Sequence, residues 1–430
     1  MEAVLNMAKI KFRRDTTANW ATANSVLSQG EPGLDITHNA LKIGDGTTAW
    51  ANLEYIANKP YPLPSITYEG SGNLPTTWLY TTAQTKILSS LTGEFLNTGG
   101  SGDYYWLNQN FDDGDYDLSG MIEIHFNKIG GIKGYFDFSA KSEVVMTTID
   151  MGEIAVIDEW FNFAGFSNTL TTFSANSLVD VGANFEIYGN NFDNGPAMSF
   201  PVLDRIGGTI RIDWNWNYML NTPAPTFPAL THVEGDISIY SNKYTSWTDF
   251  SSLQRVNNYE FHDNTNNDSA LYDGPGMPVV TDVFGNLSYF QNDGMQSISE
   301  FANLITINGN LNMYNNGELE SFPSFPVLTY VSLIYSANCP SMTTCDGTGG
   351  FLPAIKWVNG NVNFNGCALN QTSIDSILVK LASLDGTNGT TTFSSRTVDL
   401  SGGSNAIPSQ TGLYAKSVLE GRGCNVNVNS

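Results

Sequence analysis

Basic residues are scarce in this chain. There are 19 Lys and Arg against 42 Asp and Glu in 430 residues, a formal net charge of −23. That balance excludes a nucleic-acid partner, because phosphates would be repelled and their recognition needs clustered cations. The one basic run, KIKFRR at residues 9–14, is too short and too local to change it. Long apolar runs are also missing, and nothing approaches the roughly 18 residues that would span a bilayer as a helix. The opening MEAVLNMAKIKFRRD lacks the basic-then-apolar order of a secretory signal, so a route other than ordinary export is expected. Four cysteines are too few for a disulfide scaffold. The spacings of Cys339, Cys345, Cys367 and Cys424 match no zinc ribbon or finger, and they read as small buried hydrophobes. Histidine is equally rare: His38 falls at a hairpin turn, His125 in an alternating strand, and His232 and His262 inside repeated units. No G-x-S-x-G elbow, P-loop or dinucleotide fingerprint is present.

What is abundant is repetition. The pattern Leu-x-x-Ile/Val recurs as Ile129/Ile132, Ile154/Ile157, Leu178/Val181, Leu203/Ile206, Leu230/Val233, Leu253/Val256, Val280/Val283, Leu304/Ile307, Leu328/Val331 and Ile355/Val358. Successive copies are separated by 25, 24, 25, 27, 23, 27, 24, 24 and 27 residues. A period of this size held over ten copies marks a solenoid, whose single coil cannot bury its own apolar face. A second apolar pair follows in each copy, as in Phe136/Phe138, Phe185/Ile187, Ile237/Ile239 and Leu311/Met313. Spacing of two predicts a strand with one face buried. The residue between then points outward: Asp137, Asn162, Glu186, Arg211, Ser238, Ser288, Asn312 or Asn363. A glycine often precedes this strand, and Asn190, Asn215, Asn242, Asn292 and Asn316 each fall twelve residues after the first leucine or valine, as a structural ladder would require. NNYEFHD and VSLIYSANCPSM depart from the pattern and predict irregular coils.

The resulting L..I.G.L.I..N..L pattern resembles the bacterial and receptor L-domain type of leucine-rich repeat, which implies a right-handed coil of short parallel strands. The expected fold is therefore mainly β: a parallel β-solenoid of about ten coils of about 25 residues over residues 119–370. An α/β cap is expected over 371–430. There Ile374, Ile377, Leu378, Leu381 and Leu384 share a helical face, and a second helix turns Leu413, Val418 and Leu419 inward. Residues 57–118, rich in Pro and Gly near KPYPLP and NTGGSG, predict a connector and N-terminal cap.

Residues 11–56 predict a short helix, a hairpin GLDITHNALKIG with His38 and Asn39 at its turn, and a GDG turn. Arg13, Arg14, Asp15, Trp20, Gly30, Gly33, Lys42, Gly44, Asp45, Gly46 and Trp50 stand in a pattern that resembles the N-terminal attachment module of bacteriophage tail fibres, whiskers and tropism determinants. The resemblance implies a virion-attachment domain over 1–56, built on these residues, which trimerises and docks other virion proteins. It also implies a place on the exposed virion surface.

Candidate chemistry in the rest of the chain is thin. Asp112, Asp113, Asp115 and Asp117 offer hard oxygen ligands close enough for calcium but lack the distal glutamate of an EF-hand. Asp137 and Glu186 lie two coils apart, roughly 10 Å at about 5 Å per coil, near the upper limit for the carboxylates of an inverting glycosidase. Trp214, Trp216 and Tyr218 follow a strand, and Tyr188, Tyr240, Phe290 and Tyr314 lie ten residues after their leucine or valine. With Arg211 beside them they suit stacking on sugar, packing between coils, or a trimer seam. The expectation is a non-enzymatic phage fibre that anchors by its N-terminus and presents the solenoid to a host glycan or protein. The alternatives are a depolymerase on the same scaffold and a decorating whisker without receptor role.

Overall fold

Stacking is visible in the register of the short strands, and it follows from the apolar pairs. In the computed structural model Phe136, Phe161, Phe185, Ile210, Ile237, Tyr259, Leu287, Leu311, Ile334, Val362, Val398 and Val426 are successive parallel partners along one row. All twelve are buried. The described residues are 13–37, 40–53, 94–96, 105–107, 111–112, 123–125, 129–132, 134–139 and 147–430, without 153, 167–169, 192–194, 216–221, 245, 248–249, 266–271 and 346–349. They divide into two compact units, within residues 1–64 and 65–430.

In the larger unit each coil contributes two strands, one at the Leu-x-x-Ile/Val pair and one at the second apolar pair. Together they build a 22-stranded parallel sheet. Pairing reaches Tyr105–Leu107 toward one end and Asn425–Val428 at the other. A second parallel sheet, Glu94–Leu96, Glu123–His125, Thr148–Asp150 and Thr172–Ser174, adds a further row. Phenylalanines fill the core as a second stack. Phe200 lies on Phe227 at 5.4 Å and 7°, and Phe227 on Phe250 at 5.9 Å and 8°. Each buried ring or branched side chain contributes about 1.5–3 kcal/mol, and only the neighbouring coil supplies the burial.

The turns are held by side chains as well as by backbone. Asn190, Asn215, Asn242, Asn264, Asn292 and Asn316 are buried, and each Nδ2 donates to a strand carbonyl of the preceding coil. Their Oδ1 atoms accept the backbone N–H of the ladder residue one coil back, at 3.1 to 3.3 Å from Asn190 through Asn292. Buried polar groups of the turn are thereby satisfied, which a lone coil could not do. Cys339 and Cys367 occupy the same rung: their thiols donate to Met313 O and Ser336 O at 3.0 Å. They are buried and unpaired by disulfide, yet they act as ladder donors and not only as small hydrophobes.

The glycine before the strand is required by proximity. A Cβ on Gly285 would lie 2.1 Å from Asn258 Oδ1, and one on Gly309 2.5 Å from both Asn286 Oδ1 and Gly285 O. Neither glycine is in the left-handed region. The two aberrant coils keep their strand register. Each lacks one residue at this bend, so Tyr259 pairs with Ile237 and Ile334 with Leu311, and Tyr330–Tyr335 becomes one unbroken strand.

At the C-terminal end strands Thr397–Leu400 and Asn425–Val428 continue the sheet, with helices Gln371–Ser383 and Gln410–Gly421 beside it. Asn370 caps the first helix by accepting from Ser373 N–H. Ile374, Ile377, Leu378 and Leu381 face inward as expected. In the second helix Leu413 is exposed, and Gly412, Ala415 and Leu419 are the buried positions. The reason is close approach: a Cβ on Gly412 would meet Asp375 Oδ1 at 2.0 Å, so this face needs small residues.

Candidate functional site

Where a row of outward residues closes each second strand, the rings find one another. Tyr188, Asp213, Tyr240, His262 and Phe290 are successive strand partners. Tyr240 stacks on His262 at 5.0 Å and 2°, His262 on Phe290 at 4.4 Å and 5°, and Phe290 on Tyr314 at 4.9 Å and 8°. Tyr335 closes the run edge-on at 5.2 Å. In such a ladder neighbouring rings cover one another's faces. Solvent meets ring edges, the Tyr hydroxyls and the flanking polar groups, so a sugar cannot stack on the inner faces.

Asp213 interrupts the rings, and Arg211 fills the interruption. Its guanidinium lies 5.3 Å from the Tyr188 ring, donates to Asp213 Oδ2 at 2.8 Å and to the Tyr240 hydroxyl at 3.1 Å, and approaches Glu186 Oε2 at 3.9 Å. A planar cation thus stands in for a ring. Asp213 is wholly buried beneath, and burial raises its carboxyl above the usual range while bonds from Tyr240 and Arg211 oppose the rise. Burial and Asp213 likewise raise the Tyr240 phenol.

Trp214 does not belong to this column. The residue ten after Leu203 is Asp213, and Trp214 follows at the left-handed turn position shared by Gly189, Ser241, Asp263, Gln291 and Asn315, with φ between 52° and 65°. The residue is 53% exposed. Trp216 and Tyr218 lie outside the described residues. His262 is the ladder member that counting missed, because its coil is one residue short. Its Nδ1 lies 2.9 Å from Asp263 Oδ2.

Other candidates are separate from the ladder. Asp137 accepts from Asn162 Nδ2 at 2.9 Å and from the Ser139 hydroxyl, and Asn162 stands between it and Glu186 in register. Asn162 and Ser288, expected on the outer face, are buried, Asn162 between Asp137 and Glu186 and Ser288 between Glu260 and Asn312. The Asp112 side chain and all of Asp113, Asp115 and Asp117 are outside the described residues, as are His38, Asn39 and the His125 side chain. An open cleft of about 260 Å³ lined by Ile298, Glu300, Phe322, Pro323, Ser324 and Thr344 contains no ladder residue.

In the small unit, strand Arg13–Asp15 runs parallel to Pro32–Asp35, which forms a hairpin with Ala40–Ile43. Helix Thr17–Ala23 brings Trp20 onto Trp50, centroids 3.9 Å apart and 11° from parallel. Trp20 Nε1 donates to Leu34 O at 3.0 Å. Lys42 is buried, donates from Nζ to Trp50 O at 2.9 Å and lies 4.9 Å from the Trp50 ring. Burial lowers its pKa and nearby Asp35 opposes that. A Cβ on Gly33 would strike the Trp50 ring at 2.6 Å, and one on Gly44 would lie 2.2 Å from Ser28 O. Gly30 and Gly46 have φ of 78° and 81°, where glycine is favoured.

Residues 10–48 match the major tropism determinant N-terminal domain family. No curated protein and no solved structure matches the chain. Within the matched segment, the residues that make the pattern recognisable are mostly its scaffold. Gly33 and Lys42 are fixed by packing around Trp50, just past the matched segment, and Gly44 by the close approach of Leu27 and Ser28. Asp45 accepts from the Thr48 hydroxyl and the N–H groups of Thr47 and Thr48, which hold its carboxyl well below the usual range. Asp15 accepts from Asn19 Nδ2 at 2.6 Å. Arg13 and Arg14 are exposed, with Arg13 3.3 Å from Glu31 and 5.5 Å from the Trp20 ring. They are the exposed positive charges among the described residues of the matched segment.

Proposed function

We propose that the protein is a receptor-binding fibre of a bacteriophage virion, attached through its N-terminal unit and meeting the host through the strand face of the solenoid. The observation that carries the reading is the tropism-determinant match over residues 10–48. A solenoid with a 22-stranded parallel sheet suits display, since its outer rows repeat at the coil spacing. In this reading Trp214, the exposed edges of Tyr188, Tyr240, His262 and Tyr314, and the polar residues between them make the contact, without bond-breaking chemistry or a cofactor. Assembly as a homotrimer would multiply weak contacts by raising the local concentration of the second and third sites. Deletion of residues 1–56 tests the anchor: particles should lose the protein while the solenoid stays folded. Particles that still carry the truncated chain would refute that assignment.

A further inference from the structure

Between residues 142 and 355 the only Lys and Arg are Arg205, Arg211, Lys243 and Arg255, in a stretch that carries Asp or Glu on nearly every coil. The three arginines project from the strand face, and each is already met by a carboxylate. Arg205 lies 3.2 Å from Asp180, Arg211 2.8 Å from Asp213 and Arg255 3.6 Å from Glu234. Lys243 sits beyond the strand, in the turn whose backbone bonds Asn215 O. Glu260 and Asp263 flank His262 on the same face, and Glu186 borders Arg211. A ligand bearing phosphate, uronate or sulfate would therefore meet acceptors of its own sign, and capturing Arg211 would leave Asp213 buried without its cation.

The remaining groups suit hydroxyls. Ser238, Asn312 and Asn363 are half-buried on the outer row, Ser238 and Asn312 each two residues before the partly exposed Tyr240 and Tyr314, and Asn363 paired with Tyr335. Because the ring faces are stacked on one another, the ladder offers no desolvated apolar centre of the kind a protein partner would bury. Resting on the receptor reading above, we propose that the ligand of this face is an uncharged glycan, discriminated from anionic envelope polymers by the carboxylates of the outer rows.

Competition with fractionated host polysaccharide tests this. Envelope glycan from cells that bind the full chain is separated by anion exchange into unretained and retained pools, and each competes for binding of the full chain to those cells. The unretained, uncharged pool should inhibit at concentrations at least about tenfold lower than the retained pool, the ratio that 1.4 kcal/mol of discrimination gives. Glu260→Lys should narrow that ratio by weakening the repulsion, with folding checked by circular dichroism. Inhibition by the anionic pool alone would overturn the proposal. So would saturable cell binding that neither pool inhibits, since the ligand would then not be a glycan. A folded chain that binds no cells refutes the receptor reading itself and this inference with it.

Discussion

Trp20 and Trp50 meet once in the N-terminal unit, around a described core completed by Leu27 and Leu53. In the solenoid the equivalent job is shared: Phe200, Phe227 and Phe250 repeat one contact, and the asparagine ladder repeats one hydrogen-bond scheme over six coils. A unit with a single keystone fails as a whole, whereas a stack fails locally, because each coil depends only on its neighbours. The contrast also separates two kinds of motif residue. In the small unit most of the recognisable residues are scaffold; in the large one the residues that break the repeat, such as Trp214 and Asp213, belong to the face proposed to meet the host.

The largest effect expected from this contrast is Trp50→Ala. Loss of a buried indole costs about 3–5 kcal/mol, more than so small a core can spare. Proteolysis should then cleave residues 1–64 rapidly while the circular dichroism of the solenoid persists. Equal resistance in both units would break the comparison. Asn264→Ala comes next, because it leaves the Ile239 carbonyl and the Asn242 N–H without their partner, at about 1–3 kcal/mol for each buried group. Hydrogen exchange should accelerate only in the coils beside residue 264, and acceleration along the whole stack would contradict the local model.

Arg211→Ala should cost about 1–3 kcal/mol at neutral pH by leaving the Asp213 carboxylate buried and unpaired. Since the folded carboxyl is already raised by burial, its stabilising share is complete at low pH and lost as pH rises through its folded value. Without Arg211 that loss deepens, so the deficit should shrink on acidification in paired denaturant titrations. A deficit independent of pH would show that Arg211 acts through packing alone. The smallest effect on stability is expected for Trp214→Gly, neutral or stabilising by up to about 1 kcal/mol, because glycine tolerates the positive φ. The same variant should weaken cell binding. Marked unfolding would show the indole to be core.

The solenoid was legible because its period constrains every coil: the Leu-x-x-Ile/Val pairs, the second apolar pairs and the asparagines fall where counting puts them. Counting failed wherever a coil lost a residue. One missing residue before Tyr259 moved His262 into the aromatic ladder and Asn264 into the asparagine ladder, and another before Ile334 put Cys339 on a rung. Backbone conformation was illegible for a different reason. Nothing in DWNW signals that Trp214 takes a turn position where Gly, Ser, Asp, Gln and Asn stand in neighbouring coils. Nor does composition reveal that Arg211 would replace a ring. In the N-terminal unit the helix, hairpin and GDG turn were readable from local signals, but burial of Lys42 was not, since lysine is ordinarily a surface residue.

The most direct test of the central claim is competition for adsorption between the soluble, assembled full chain and the particles that bear it. A receptor-binding fibre predicts saturable attachment to host cells and a matching, concentration-dependent loss of particle adsorption, weakened together by Trp214→Gly. A correctly folded chain that neither attaches nor competes would contradict the account and leave a structural component of the particle.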